Sequence, residues 1–170
     1  MGRRRRSARV LLVDGRDRLL LFRSEGENGA PTLWMTPGGG VRRLESLPRA
    51  AARELWEETG LRVAPAALGE RVAWTGGHAD LGWLNGEFED SFFFLRVAEH
   101  AVDPSRWEAH EVRTISEHRW WSAAELAATD ESVVPLGLVP LLTDLVAGRR
   151  PATPVRLPWH HQPGPPGPRR

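Results

Sequence analysis

The chain has 170 residues and a mass of 19.0 kDa, about one domain's worth. Its 41% apolar and 26% charged residues exclude a disordered polypeptide, and no run of about 18 uncharged apolar residues exists to span a membrane. With 23 basic against 22 acidic residues, the charge of +1 selects neither for nor against nucleic acid. The absence of cysteine excludes disulfides, thiolate metal sites and cysteine nucleophiles.

Residues 1–6, with Arg3 to Arg6 in succession, read as a solvated basic arm. The apolar run that follows, Val10 to Val13, is cut by Asp14, so no signal peptide is expected and the default compartment is the cytoplasm. Residues 7–148 read as one folded unit. Ala8 to Val13 and Arg18 to Phe22 are strand candidates around a turn at Asp14-Gly15-Arg16-Asp17. A third short strand is expected over Thr32 to Thr36, before Pro37-Gly38-Gly39-Gly40, which looks too glycine-rich for regular structure. Ser46 to Thr59 has the marks of a helix: a capping serine, Pro48 in the first turn and Gly60 as the stop. Strands are expected again at Arg71 to Thr75, at Ser91 to Val97, where Phe92-Phe93-Phe94-Leu95 is apolar on both faces, and at Arg119 to Trp121. Helices are expected over Ser122 to Ala128 and Leu136 to Ala147. Residues 149–170 hold seven of the fourteen prolines and read as an extended Pro/Arg-rich tail in which the pair His160-His161 is incidental. Strands interrupted by helices give an α/β (α+β) class, a mixed sheet with helices on both faces.

The segment Gly38 to Leu61, GGGVRRLESLPRAAARELWEETGL, carries the chemistry. At 100° per residue from Leu47, Glu57, Glu54 and Glu58 fall near about 280°, 340° and 20°, one arc roughly 100° wide. Ala51, Leu55 and Ala52 fall beside it, near about 40°, 80° and 140°. Such a helix buries one face and aims three carboxylates along its edge. Three like charges this close repel, and partial burial raises at least one pKa. A hard divalent cation such as Mg²⁺ or Mn²⁺ relieves that repulsion by accepting several carboxylate oxygens.

The spacing around these acids is fixed: Gly39, five residues, Glu45, seven residues, then Arg53-Glu54-Leu55-Trp56-Glu57-Glu58-Thr59-Gly60-Leu61. It resembles the Nudix box, the signature of the Nudix hydrolases, at all nine defining positions. Looser similarity extends to Trp34-Met35-Thr36-Pro37 before the box and to Glu117 to Trp121 and Ala124-Glu125-Leu126 after it. Leu44 stands where many members carry glycine, a position outside the defining pattern.

The resemblance implies a Nudix-like α/β/α sandwich and Mg²⁺-dependent hydrolysis of a nucleoside diphosphate linked to another moiety, with Mn²⁺ able to substitute. It implies that Glu54, Glu57 and Glu58 hold the metal, helped by a backbone carbonyl near Gly39. Glu54 would take a proton from the attacking water, and Arg53 and Glu45 would orient the carboxylates. The glycines from Gly38 to Gly40 would let the backbone pass close to metal and phosphates. Arg23 is a candidate phosphate ligand, and Trp34, Trp74, Trp83 and Trp107 are candidates to stack on a base. Glu111, and after it Glu117, are candidates for a further carboxylate from a distant loop.

Subfamily marks are few. The chain lacks the tyrosine of diadenosine polyphosphate hydrolases, and Gly76 and Gly77 stand where many ADP-ribose hydrolases carry proline. The extra upstream motif of coenzyme A pyrophosphatases is also missing. A small-molecule nucleotide, either a nucleoside triphosphate or a nucleotide sugar, is therefore the expected substrate, with no membrane and no nucleic acid as partner. Two alternatives are a non-catalytic nucleotide-sensing module and an RNA 5′-end pyrophosphohydrolase gripping phosphates with the arginine arm. The tryptophan content leaves room for a homodimer interface.

Overall fold

Val10, Leu11, Leu12 and Val13 are all fully buried, so the run that opens the chain has no solvent face. It belongs to β1 (Arg5–Val13), in a computed structural model that describes residues 4–26, 30–81 and 85–161. The two-residue period of a strand sends Ala8, Val10 and Leu12 to one face of the sheet and Leu11 and Val13 to the other. β2 (Leu19–Ser24) repeats the division, with Leu20 and Phe22 opposed to Leu19 and Leu21. Both faces are covered, which is why these strands read as continuous apolar runs.

Three short elements follow: β3 (Leu33–Met35), β4 (Gly38–Gly40) and the helix α1 (Leu47–Thr59). A one-turn 3₁₀ helix, Pro65–Leu68, leads into the long pair β5 (Ala73–Asp80) and β6 (Asn85–Arg96). Then come α2 (Ala109–Thr114), β7 (Ile115–Trp121), α3 (Ala123–Ala128), β8 (Val133–Val134), α4 (Leu138–Val146) and β9 (Val155–Arg156).

The sheet is mixed, in the order β8-β3-β2-β1-β6-β5-β9, with β4 paired to β1 and β7 to β2. β1 and β6 run parallel from Arg5↔Phe88 to Val13↔Arg96. β1 and β2 share only Val13↔Leu19, after which β1 pairs antiparallel with β4 and β2 with β7 and β3. The sheet therefore splays open at the N-terminal half of β1. α1 covers one face through Ala50, Ala51, Ala52 and Leu55, while α3 and α4 cover the other through Leu126, Leu138, Leu141, Leu142 and Leu145. The mixed sheet between helical layers is the expected α/β architecture.

Local expectations are corrected at three places, and one helix, α2, was not foreseen. Arg5 and Arg6 are strand residues rather than a solvated arm, because β6 extends far enough to pair with them, and Arg4 adds an ion pair to Glu89 at 2.8 Å. Residues 1–3 of that arm lie outside the described residues. Gly38–Gly40 is a strand: its antiparallel partners Ser7, Ala8 and Arg9 supply the ladder, and a bare backbone suits the crowded edge. The helix α2 had no periodic apolar signal; it is capped by the reciprocal Glu108–Glu111 box.

The tail departs furthest from expectation. Pro154 and Pro158 flank three residues that keep their amides, and two of these bond to the sheet. Val155 N donates to Val72 O at 2.9 Å and Leu157 N to Trp74 O at 2.8 Å, so β9 joins the sheet beside β5. The remainder of the expected tail, residues 162–170, lies outside the described residues. Among the described residues, no helix is long and apolar enough to cross a membrane.

Candidate active site

The carboxylate helix is fixed at both ends by its own sequence. Ser46 Oγ accepts the Arg49 amide at its start, and Gly60, at φ 77°, takes the left-handed conformation at its end. Trp107 pins the same end from outside, donating its Nε1–H to the Glu58 carbonyl at 2.8 Å while packing edge-on against Phe22. With Ala50, Ala51 and Leu55 buried on the sheet, the arc carrying Glu54 and Glu58 faces β4.

Glu54, Glu58 and Glu111 each place a carboxylate oxygen within 4.8 Å of the others, although they are only 9%, 7% and 8% exposed. Each has one oxygen held by a protein donor. Arg53 Nη1 donates to Glu54 Oε1 at 2.6 Å, the Gly38 amide to Glu58 Oε2 at 2.6 Å, and the Glu108 amide to Glu111 Oε2 at 2.5 Å. The second oxygen of each has no hydrogen-bond donor among the described residues.

Burial drives the Glu58 pKa well above 4.5; Glu54 and Glu111 add to the rise, while the Gly38 amide and the Arg9 charge oppose it. Burial also raises Glu54, against the pull of Arg53. An all-oxygen donor set of clustered, desolvated carboxylates fits a hard divalent cation.

The glycines are explained by this crowding. A Cβ on Gly39 would stand 2.8 Å from the Glu54 carboxylate. Gly38 has φ 141°, outside the range of ordinary side-chain-bearing residues, and that conformation aims its amide at Glu58.

Arg53 organises the rim. It donates Nε and Nη2 to the two oxygens of Glu45 at 2.8 and 2.9 Å, and Nη1 to Glu54 and Glu57 at 2.6 and 3.0 Å. Its Nη2 also reaches the Gly40 carbonyl at 2.9 Å, tying α1 to β4. Glu45 is held down at a pKa of about 2, chiefly by the Arg53 hydrogen bonds.

The structure brings Glu54, Glu58, Glu111, Gly39, Arg53 and Glu45 to one place. Glu57 is left outside the mutually close oxygens, bound instead to Arg53 and, at 3.3 Å, to Arg42. Arg23 is also elsewhere, paired with Glu25 at 2.8 Å and near Glu131 at 3.8 Å. Trp34 is a core residue, 2% exposed, packed edge-on against Trp121 at 5.1 Å. Its Nε1–H is spent on Glu131, so the expected stacking role fails for want of an open face. Trp74 lies under Arg156 and Trp107 under the helix end, while Trp83 lies outside the described residues. Glu117 is an exposed residue of β7, opposite Arg23.

Arg9 was missed by sequence reasoning. It donates Nη1 to the carbonyls of Thr36 at 3.0 Å and Gly38 at 3.4 Å, bracing the glycine strand beside Glu58. Nothing in the sequence sets Arg9 apart from Arg5 and Arg6, which share its strand.

A model of the NUDIX domain matches residues 3–142. An RNA pyrophosphohydrolase of Roseobacter denitrificans is 33% identical over 137 residues, covering 74% of this chain and 79% of that protein. The m7GpppN-mRNA hydrolase NUDT17 of Danio rerio is 41% identical over 64 residues, which are 37% of this chain and only 21% of the relative. Among solved structures, the NUDIX domain of Shewanella oneidensis NrtR, complexed with ADP ribose, superposes with a TM-score of 0.63 at 18% identity, covering 86% of this chain and 90% of that one. The family match spans most of the folded unit and includes every residue of the carboxylate group, and on that ground the chain belongs to the Nudix hydrolase family.

Proposed function

We propose that the protein is a Mg²⁺-dependent pyrophosphohydrolase of small nucleotides, cleaving the pyrophosphate linkage of a nucleoside triphosphate or nucleotide sugar. The observation that carries this reading is the convergence of three nearly buried carboxylates, Glu54, Glu58 and Glu111, from two separate helices beside a glycine strand. These three would hold the cation, with Mn²⁺ a competent replacement. When bound, the cation withdraws charge from the phosphate oxygens, which otherwise repel an incoming nucleophile.

Glu54 is the proposed proton acceptor. One of its oxygens is fixed by Arg53, and the other has no donor among the described residues. Water oxygen attacks phosphorus, the bridging P–O bond breaks with its electron pair leaving on the departing phosphate, and the water proton passes to Glu54. Arg53, locked by Glu45, keeps that carboxylate in place. Gly38 and Gly39 let the backbone approach without an obstructing Cβ. A nucleotide substrate and a cysteine-free chain both suit a cytoplasmic location.

The test is a panel of nucleoside triphosphates, nucleotide sugars and 5′-triphosphorylated RNA, with Mg²⁺ or Mn²⁺, following phosphate, pyrophosphate and nucleoside monophosphate. Metal-dependent release from a small nucleotide supports the reading, and turnover of none defeats it. A second reading, an RNA 5′ end, is favoured by Arg4, Arg5, Arg6, Arg42 and Arg43 lining one cavity next to Gly40. It requires RNA affinity that falls steeply as salt rises.

A further inference from the structure

The glycines of β4 have no side chains to fix them, yet the Gly38 amide is what holds Glu58 Oε2, at 2.6 Å. Glycine loses more conformational freedom on ordering than any other residue, so the position of this strand must come from groups around it. Two arginines grip it, one at each end. Arg53 Nη2 reaches from α1 to the Gly40 carbonyl at 2.9 Å. Arg9 Nη1 reaches the Gly38 carbonyl at 3.4 Å and, just before the strand, the Thr36 carbonyl at 3.0 Å.

Arg9 arrives from the far side of the sheet. It leaves β1 on the face opposite Ala8 and Val10, whose side chains belong to the α1 side of the core. Its stem runs across Gly38 so closely that a Cβ there would stand 2.7 Å from Arg9 Cγ. The bare backbone at Gly38 thus serves twice. It permits the φ of 141° at which the amide meets Glu58, and it opens the path by which Arg9 reaches the two carbonyls. The guanidinium ends on the wall of the space of about 420 Å³ around Glu54, Glu58 and Glu111.

Asp90 anchors it from β6. Asp90 lies two residues before Phe92, so it shares the sheet face of Phe92, Leu11 and Arg9. Its Oδ2 stands 3.7 Å from Arg9 Nε, and the two side chains are only 19% and 15% exposed. The contacts use different nitrogens, with Nε toward β6 and Nη1 toward β4. A guanidinium is planar and rigid, so holding Nε also directs Nη1. Two carbonyls and one carboxylate satisfy a charge that burial would otherwise make costly.

We propose that Arg9, anchored by Asp90, is a positioning residue for the metal site: it fixes Gly38, and through the Gly38 amide it holds Glu58 facing Glu54 and Glu111. The inference rests on the reading of these carboxylates as cation ligands given above. It makes β6 part of the frame of the site, at one remove from the chemistry.

The test begins without substrate, on the full chain. Hydrogen exchange followed by NMR in the metal-free protein reads the Gly38 amide directly. Arg9→Met keeps an apolar stem and removes every donor; it should quicken Gly38 exchange by about tenfold while the amides of Leu11 and Phe93 keep their wild-type rates. Mn²⁺ affinity should fall by about 10–100-fold, the usual effect of losing a group that orients metal ligands. Asp90→Asn should move both readings the same way by less, and Arg9→Lys, with a charge and a donor but no fork, should recover part of each loss. On a nucleotide that wild type cleaves, kcat should fall with KM little changed, because Arg9 acts on the carboxylates and not on the substrate. An Arg9 that served the fold alone would quicken exchange throughout β1 and β6 and leave the Mn²⁺ affinity of the folded protein unchanged. Should Arg9→Met fail to fold, Arg9→Lys becomes the deciding variant and must still bind Mn²⁺ more weakly than wild type. A wild-type Mn²⁺ affinity or a wild-type Gly38 exchange rate in the deciding variant overturns the inference even if hydrolysis is robust. Loss of both, in a protein that cleaves no nucleotide, upholds Arg9 and defeats the proposed reaction. A wild type that binds no Mn²⁺ defeats the metal reading and this inference with it.

Discussion

Arg53 clasps Glu45 with two parallel hydrogen bonds, Nε to Oε1 at 2.8 Å and Nη2 to Oε2 at 2.9 Å. The remaining nitrogen is thereby aimed at Glu54 and Glu57. Lysine keeps the charge but cannot make the fork. Arg53→Lys should therefore lower Mn²⁺ affinity and kcat by about 10–100-fold, the usual effect of disturbing a group that orients metal ligands. Glu45→Gln should cost less alone, and the double variant little more than Arg53→Lys. Additive losses, measured by Mn²⁺ titration and turnover, would show that the two residues do not act as one unit.

The three clustered glutamates should separate from Glu57. Glu54→Gln and Glu58→Gln remove a metal-binding charge at nearly constant shape, and each should cut kcat at least 100-fold, on the scale of a lost catalytic group. Because burial raises both pKa values, removing either charge relieves desolvation in the metal-free protein. Its melting temperature should hold or rise in Glu58→Gln. Glu57→Gln, lying outside the close group and bound to Arg53 and Arg42, should lose less activity than either. Equal losses in all three would place Glu57 among the ligands.

Gly39→Ala isolates the need for a bare backbone. The added Cβ would meet the Glu54 carboxylate at 2.8 Å, closer than real Cβ contacts come. Glu54 must shift or β4 must part from β1. A 1 Å displacement of a reacting group can lower turnover by about 100-fold. The expected result is a loss of that size with a thermal melt close to wild type; full activity would mean that the carboxylate moves away freely.

The helix and its acids were legible because two periodic signals agree: apolar residues at Ala51, Ala52 and Leu55 set the buried face, and Ser46 and Gly60 set the ends. The strands of β1 and β2 were legible because both of their faces are covered, which leaves an unbroken apolar run. Glu111 was nominated from a resemblance, and only the tertiary fold shows that α2 carries it to Glu54 and Glu58. Trp34 misled for a general reason: a large aromatic beside a motif packs the core as readily as it stacks on a ligand. The C-terminal segment misled because proline density hid two free amides, at Val155 and Leu157, that bond to β5 and its approach. Residues such as Arg9 and Asp90 are unremarkable in sequence, and their meeting depends on which strands become neighbours.

Ending the chain at residue 154 should destabilise the protein. The cut removes β9, exposes the core around Leu157 and leaves the Thr75 hydroxyl without its two carbonyl acceptors. Leu157→Ala alone should cost about 2–5 kcal/mol, as for other buried leucines. A urea midpoint for the chain ending at 154 equal to that of the full chain would show that the docked segment adds nothing to the fold.

Asp14 gives the pH test. Burial alone would raise its pKa, but the Arg18 guanidinium and the amides of Arg18 and Arg16 together hold it below the ordinary 3.8. The carboxylate accepts Arg18 Nε and Nη2 at 2.9 and 2.7 Å and caps the turn between β1 and β2. A lowered acid stabilises the fold above the unfolded pKa and loses that contribution as pH falls through the folded value. Asp14→Asn should thus be less stable than wild type at pH 7, by on the order of 1 kcal/mol given that Arg18 is partly exposed. The gap should hold down to about pH 4 and close below it, as the wild-type carboxyl takes up its proton. Urea unfolding of both proteins at pH 7, 4 and 3 reads this directly, and a gap that stayed constant across all three would assign the stability to the shape of the turn instead of the charge.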